Sequence, residues 1–273
     1  MVSVVFQKKI KITRISKEGK KEELDTVLLE SPIDIFVNSK PLVNIICLNK
    51  DLKELTVGFL FSIGIINGME DINIIKINNE KGQVYVELVD SIEFKPEILE
   101  LTPVSRVIDT TCGIPSPWRD LIKEKLIESE NILNFNAQLE VNSELIFSSM
   151  VEMQKNTYLF RETGGCHGAA IFDLGGSLFA VKEDIGRHNA IDKVIGALLL
   201  KKEPFNNKIL TSTGRLTGDS VLKAVRAQIP IVSSLSAAIE SGIRLADSYG
   251  LTLIGFVRGK KMNIYTHPNR IKF

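Results

Sequence analysis

From residue 168 to residue 266 the chain alternates short apolar runs with amphipathic stretches, and that rhythm leaves few folds open. Short runs bounded by Gly or polar turns predict strands at 168–173, 177–182, 208–212, 229–233, 251–257 and 262–266. The stretches between them predict helices at 186–200, 218–228 and 237–249. Strands spaced by helices imply an α/β domain with a mostly parallel sheet and helices on its faces. Ligands of such sheets bind beyond the carboxyl ends of the strands. The residues that follow each strand are therefore the first place to look for function.

Three strand ends carry polar and cationic loops. One is followed by Thr211-Ser212-Thr213-Gly214-Arg215, a second by Ser233-Ser234-Leu235-Ser236, and a third by Arg258-Gly259-Lys260-Lys261. Glycine lets backbone N–H groups approach an anion, and arginine grips phosphate bidentately. The plainer reading of each loop is helix capping by Ser and Thr, or a hairpin turn at Gly259; together the three favour an anion site. Two denser segments precede them. Arg161-Glu162-Thr163-Gly164-Gly165-Cys166-His167 holds a glycine pair that permits positive φ. Glu183-Asp184-Ile185-Gly186-Arg187-His188-Asn189-Ala190-Ile191-Asp192-Lys193 turns from a strand end into a helix. Gly164, His167, Arg187, His188, Thr213 and Arg215 are thus candidate anion contacts. A capped helix with a solvated face is the plainer account of the second segment, and a hydrogen-bonded core histidine the plainer account of His167 and His188.

The first 110 or so residues read as a smaller α+β unit. Strands are expected at Val2–Ile12 and Ile33–Val37, a turn at Asn38–Pro41, an apolar run at Leu42–Leu48 and a strand at Gln83–Val89. Leu52, Leu55, Thr56, Phe59, Leu60 and Ile63 form one helical stripe, capped by Asn49 or Asp51 and ended by Gly64 or Gly68. Ser116-Pro117 has the N-cap and N1 pattern of a helix running to about Ser129, and another helix is expected from Asn142 or Ser143. The expected division is residues 1–110, a loop and linker helix at 111–135 carrying Cys112, and an α/β domain at 136–273.

Three cysteines stand in 273 residues, an odd, low number without a Cys-x-x-Cys pair, which argues against a disulfide framework or a zinc ribbon. Cys47 sits in an apolar run as a structural cysteine does. Cys112 instead follows Asp109-Thr110-Thr111 and precedes Gly113-Ile114-Pro115, in a turn-rich loop ahead of a helix start where a thiol can be acidified. The formal net charge of +1 gives no global attraction to nucleic acid or anionic membranes. No apolar run is long enough to span a bilayer, and the first residues lack a signal-peptide pattern, so a cytoplasmic location is expected.

These segments, taken together, resemble the FdhD family, the sulfurtransferases required for formate dehydrogenase activity. The resemblance runs through Leu55–Leu60 and Gly64–Ile66, Thr163–Ala170, the highly specific Glu183–Lys193 run, Thr213–Arg215, Gly255–Arg258 and Asn263–Tyr265. It implies a cytidine-deaminase-like C-terminal domain beside a smaller α+β N-terminal domain. It implies a persulfide-type sulfurtransferase that carries sulfur from a cysteine desulfurase to the molybdenum cofactor, a bis(molybdopterin guanine dinucleotide), for formate dehydrogenase. The family's persulfide cysteine falls on Cys112, and its cofactor-binding stretch on Phe256, Val257, Arg258, Gly259, Lys260 and Lys261. A homodimer is implied by the resemblance alone. Many members have Cys-Gly-x-Cys-Gly where this chain has Cys112-Gly113-Ile114-Pro115-Ser116, so the second loop thiol is replaced by Pro115. One thiol suffices to hold Cys–S–SH, whereas a second would allow an internal disulfide with release of sulfide.

Two rivals follow. Zinc-deaminase chemistry needs His-x-Glu and Pro-Cys-x-x-Cys; here His167 is followed by Gly168-Ala169, and no zinc is expected. The other is a chaperone that binds and delivers the molybdenum cofactor without transferring sulfur. Guanine nucleotides, GDP or GTP, are expected to mimic part of the cofactor, and Arg258→Ala to weaken their binding.

Overall fold

The described residues open with a largely solvent-exposed ribbon. The structure, a computed structural model, describes residues 5–92, 107–108 and 139–273. β1 (Gln7–Ser16) and β2 (Gly19–Leu28) pair antiparallel, with β1 exposed along almost its whole length. The expected strand at Val2–Ile12 overlaps β1, whereas β2 has no counterpart among the expected strands. The β2 sequence, GKKEELDTVL, lacks the apolar and polar alternation that marks a half-buried strand.

β3 (Glu30–Val37) and β4 (Lys40–Leu48) form a tight hairpin through Asn38 and Ser39, both at positive φ. α1 (Leu52–Ser62) follows, then β5 (Ile72–Asn78), β6 (Gln83–Leu88) and β7 (Val107–Ile108). These strands make a five-stranded sheet in the order β5-β6-β3-β4-β7. α1 is buried beyond the expected stripe, since Val57, Gly58 and Phe61 are buried too. Its N-cap is Asp51, but the side chain makes no capping bond; it pairs instead with Lys182 at 2.9 Å.

After β8 (Val141–Asn142), Asn142 caps α2 (Ser143–Asn156) by accepting from the Glu144 N–H at 2.8 Å. α3 (Tyr158–Thr163) is short. β9 (His167–Asp173), β10 (Leu178–Asp184), α4 (Arg187–Lys201), β11 (Lys208–Ser212), α5 (Gly218–Arg226), β12 (Ile231–Ser234), α6 (Glu240–Ser248), β13 (Thr252–Arg258) and β14 (Lys261–Ile264) follow. Each lies within a few residues of its expected place. β15 (Ile271–Lys272) pairs with β8.

The sheet order is β10-β9-β11-β12-β13-β14, and only β11–β12 and β12–β13 are parallel. The expectation of a mostly parallel sheet is corrected to a mixed one. The link between β9 and β10 is a tight turn, too short for a crossover helix. There Asp173 Oδ1 accepts from the N–H groups of Gly175 and Ser177, and Gly176 takes φ 90°. Gly259, at φ 58°, likewise turns β13 into β14, as the plainer reading of that segment foresaw.

The buried strands alternate strictly. Ala169, Ile171, Leu210, Val232 and Leu253 face one side, in a cluster with Val194 and Leu198 of α4, Leu55 and Leu60 of α1, and Ile33 and Ile45 of the five-stranded sheet. Ala170, Phe172, Ile209, Ile231 and Ile254 face the other side, covered by Ile146, Met150 and Met153 of α2. α1 and α4 cross in backbone contact. A Cβ on Gly58 would lie 1.8 Å from the Asp192 carbonyl oxygen, and one on Gly196 would lie 1.9 Å from that of Glu54.

Candidate functional site at the strand ends

β10, β11, β12 and β13 run in one direction and β9 in the other. One edge of the sheet therefore collects the carboxyl ends of four strands and the amino end of β9. Asp184 stands opposite His167, Ser212 opposite Ser234, and Thr213 donates its N–H to the Gly168 carbonyl at 3.0 Å.

Much of the Glu183–Lys193 run builds this edge rather than lining it. Glu183 accepts from the N–H groups of Leu159 at 3.2 Å and Phe160 at 2.7 Å, capping α3, whose own N-cap Thr157 makes no side-chain capping bond. Asp184, fully buried, accepts from the Leu48 N–H at 3.1 Å, the Gly186 N–H at 2.9 Å and Asn189 Nδ2 at 3.0 Å, and pairs with Lys193 Nζ at 2.6 Å. Lys193 also donates to the carbonyls of Leu48 and Glu183. Asn189 Nδ2 reaches the Ile46 carbonyl. This network ties β4 to β10 and α4. One turn on, Asp192 holds Lys223 Nζ at 2.7 Å and accepts from Ser62 Oγ at 2.6 Å, fastening α4 to α5 and α1.

Cys166 is buried, with Sγ 3.9 Å from Glu183 Oε1. Burial, then the Glu183 and Asp184 carboxylates, push its thiol up to about 12. Burial and Asp184 push the Cys47 thiol well above the ordinary range as well. Neither is a thiolate at neutral pH, so neither is an activated nucleophile.

The next residue, His167, is half-buried. Its Nδ1 lies 3.1 Å from Thr213 Oγ1, and that hydroxyl also accepts from the Gly168 N–H at 3.1 Å. Arg187, at the first turn of α4, lays its stem on Gly214, where a Cβ would sit 2.7 Å from Arg187 Cβ. Arg215 follows Gly214 and is exposed. Arg187 and Arg215 make no ion pair with any described residue, and Arg187 Nε is buried without a hydrogen-bond partner among them. Burial and the Arg215 charge lower the Arg187 pKa, with Asp219 opposing. Burial, then Arg187 and Arg215, hold His167 below the usual histidine range, against a contribution from Asp184.

The third and fourth strand ends close the rim. Ser234 Oγ donates to the Gly214 carbonyl at 2.6 Å, and Ser212 Oγ accepts from the Gly214 N–H at 3.0 Å, so these hydroxyls shape the loop. Phe256, exposed and at φ 52°, donates its N–H to the Ser236 carbonyl at 3.0 Å. Arg258 Nε donates to the Leu235 carbonyl at 3.1 Å, and its guanidinium lies over the Phe256 ring at 5.8 Å.

The structure thus brings together His167, Arg187, Thr213 and Arg215, three residues on from Gly164, with Phe256 and Arg258 leaning on the adjoining β12 loop. Val257 points into the core. Gly259 and Lys260 form the hairpin turn, with Lys261 exposed beside it. His188 is buried between α4 and α5, its Nδ1 3.4 Å from Ser220 Oγ. Cys112 and its loop lie outside the described residues, as does the helix expected to begin at Ser116-Pro117. Among the described residues no group of His, Cys, Asp or Glu is arranged to hold a metal ion, and no helix is long and apolar enough to cross a membrane.

Residues 28–272 match the model of the FdhD/NarQ family. The Sulfolobus acidocaldarius protein named sulfur carrier protein FdhD is 36% identical over 265 residues, 97% of this chain and 98% of that one. The Bacillus subtilis protein of the same name is 34% identical over 249 residues, 91% of each. A crystal structure of a protein assigned as a formate dehydrogenase accessory protein, from Desulfotalea psychrophila, superposes with a TM-score of 0.75. It is 29% identical and covers 98% of this chain and 100% of that one.

Proposed function

The chain belongs to the FdhD/NarQ family, and from that premise we propose that it is a sulfur carrier. In this reading it passes persulfide sulfur from a cysteine desulfurase to the molybdenum cofactor, a bis(molybdopterin guanine dinucleotide), for formate dehydrogenase. The cofactor is cargo here, a substrate that the protein holds and modifies. The observation that carries the reading is the rim: Arg187, Arg215 and His167 converge at the strand ends, and neither arginine makes an ion pair with a described residue, Asp219 and Asp184 acting on Arg187 and His167 only through their charge. Arg187, whose Nε is buried without a hydrogen-bond partner among the described residues, is costly to hold there, and an anionic ligand offsets that cost. The diphosphates of a guanine dinucleotide suit them, with Thr213 and the Gly214 backbone beside. The order β10-β9-β11-β12-β13, with β9 reversed against the other four, supports a cytidine-deaminase-like reading of this half.

Sulfur transfer is assigned to Cys112. Its thiolate attacks the terminal sulfur of the desulfurase persulfide; the donor leaves as a thiolate and Cys112 becomes Cys–S–SH. The other two thiols are poor candidates. Burial and the neighbouring Glu183 and Asp184 carboxylates push the Cys166 thiol up, which keeps it protonated at neutral pH.

Incubation with a cysteine desulfurase and cysteine, followed by peptide mass spectrometry, is expected to find one added sulfur, on Cys112. Cys112→Ala is expected to abolish formate dehydrogenase maturation while nucleotide binding survives. The replacement of a second loop thiol by Pro115 favours one other reading, the delivery chaperone. Normal maturation by Cys112→Ala protein would select it and end the sulfur-transfer reading.

A further inference from the structure

We propose that His167 is the proton-linked third arm of a diphosphate clamp made with Arg187 and Arg215, taking a proton from solvent as the anion binds. The inference rests on the reading of the rim as a site for phosphate-bearing cargo, and it adds how that site couples to pH.

The geometry is specific. His167 opens β9, and its ring is fixed through Nδ1 by Thr213 Oγ1. Its Nε2 makes no hydrogen bond to a described residue, which leaves that nitrogen for a ligand. Four groups face the ring from the elements around it. Asp184 lies across the strand pair on β10, but Lys193 at 2.6 Å already holds that carboxylate. Arg187 comes from α4, and Arg215 from the loop after β11. Thr213 contributes only a hydroxyl. The balance around the imidazole is therefore cationic, and burial adds to it, so the free protein keeps His167 neutral at pH 7.

A diphosphate lodged against Arg187 and Arg215 reverses that balance. Two or more negative charges arrive beside the ring, which favours the imidazolium, and the imidazolium can then donate Nε2–H to a phosphate oxygen. The sign follows from linkage. His167 has a higher pKa in the complex than in the free protein, so its contribution to affinity is present at low pH. It is lost as the pH rises through the pKa of the complex. The terminal phosphate titrates near pH 6 and is linked in the opposite sense, so the contribution of His167 is the difference between wild type and a variant without the imidazole.

The test is calorimetry with GDP at pH 7 in two buffers of different ionisation enthalpy, on wild type and His167→Gln. Wild type is expected to take up close to one proton more than the variant. Its affinity is expected to fall by up to about tenfold per pH unit above neutrality, relative to the variant. The chain has three histidines, so ring resonances of the wild type report the same event without a substitution. The His167 pKa should rise on saturation with GDP. Equal proton uptake by both proteins, or an unmoved His167 pKa, overturns the inference and leaves the phosphate reading standing. Absence of GDP binding by wild type, or an affinity unchanged by Arg187→Gln and Arg215→Gln, overturns both.

Discussion

At the scale of single residues, similar side chains in one short run do different work, and only distant partners tell them apart. Between Glu183 and Lys193, Asp184, Asn189, Asp192 and Lys193 all have their polar groups satisfied inside the fold, by Leu48, Ile46, Ser62 and Lys223. Those partners, Lys223 apart, lie 130 or more residues away in sequence, so no local pattern could reveal that these residues are scaffold. Arg187, in the same run, keeps Nε without a partner among the described residues. The cysteines divide in a similar way. Cys47 was legible as structural from its apolar neighbours. Cys166 was not, because Gly165 and His167 flank it, and its burial against Glu183 is a tertiary fact. In native protein at pH 7.5, Cys47 and Cys166 are expected to resist iodoacetamide for hours and to react in denaturant. Peptide mass spectrometry reads each site, and rapid native labelling of Cys166 would return it to contention as a sulfur carrier.

At the scale of elements, what the sequence made legible tracks what is buried. Strands β9 to β13 lie in a sheet covered on both faces, and their apolar runs placed them within a few residues. β2 was missed because it buries no continuous face. The sheet is mixed rather than mostly parallel, because the link between β9 and β10 is too short for a crossover and these neighbours pair antiparallel. The contact between α1 and α4 was invisible, although both glycines that make it were in view. Alanine is the better helix former by about 1 kcal/mol. A Cβ at Gly58 or Gly196, however, would sit under 2 Å from a backbone oxygen of the other helix, which a side-chain rotation cannot relieve. Gly58→Ala and Gly196→Ala are each expected to cost about 3 kcal/mol or more in denaturant unfolding. Gly165→Ala, whose nearest atom would be 3.4 Å away on the Thr163 side chain, should stay within about 0.5 kcal/mol. Equal effects at the three positions would mean that the crossing is not held by backbone contact.

At the scale of the whole molecule, the two sheets and the helices between them act as one support for a small charged rim. One apolar cluster runs from Ile33 to Leu253, and the buried Asp184–Lys193 pair joins β4 to the strand-end edge. The overall charge of +1 offers nothing to steer an anion from a distance. Attraction must therefore come from a few cations within about a Debye length of the site, roughly 8 to 10 Å at ordinary salt. Position should then matter more than charge number. Removing two cations from the exposed ribbon, with Lys8→Ala and Lys9→Ala together, is expected to leave GDP affinity within about twofold. Removing one from the rim, with Arg187→Gln, is expected to weaken it about tenfold or more, as loss of a charge-assisted bond does. Arg258→Ala should fall between them, because its Nε is already committed to the Leu235 carbonyl and its guanidinium lies over the Phe256 ring. Titration of GDP into the three proteins at fixed ionic strength orders them. If the ribbon variant loses as much affinity as Arg187→Gln, binding follows net charge, and the strand ends are not the site.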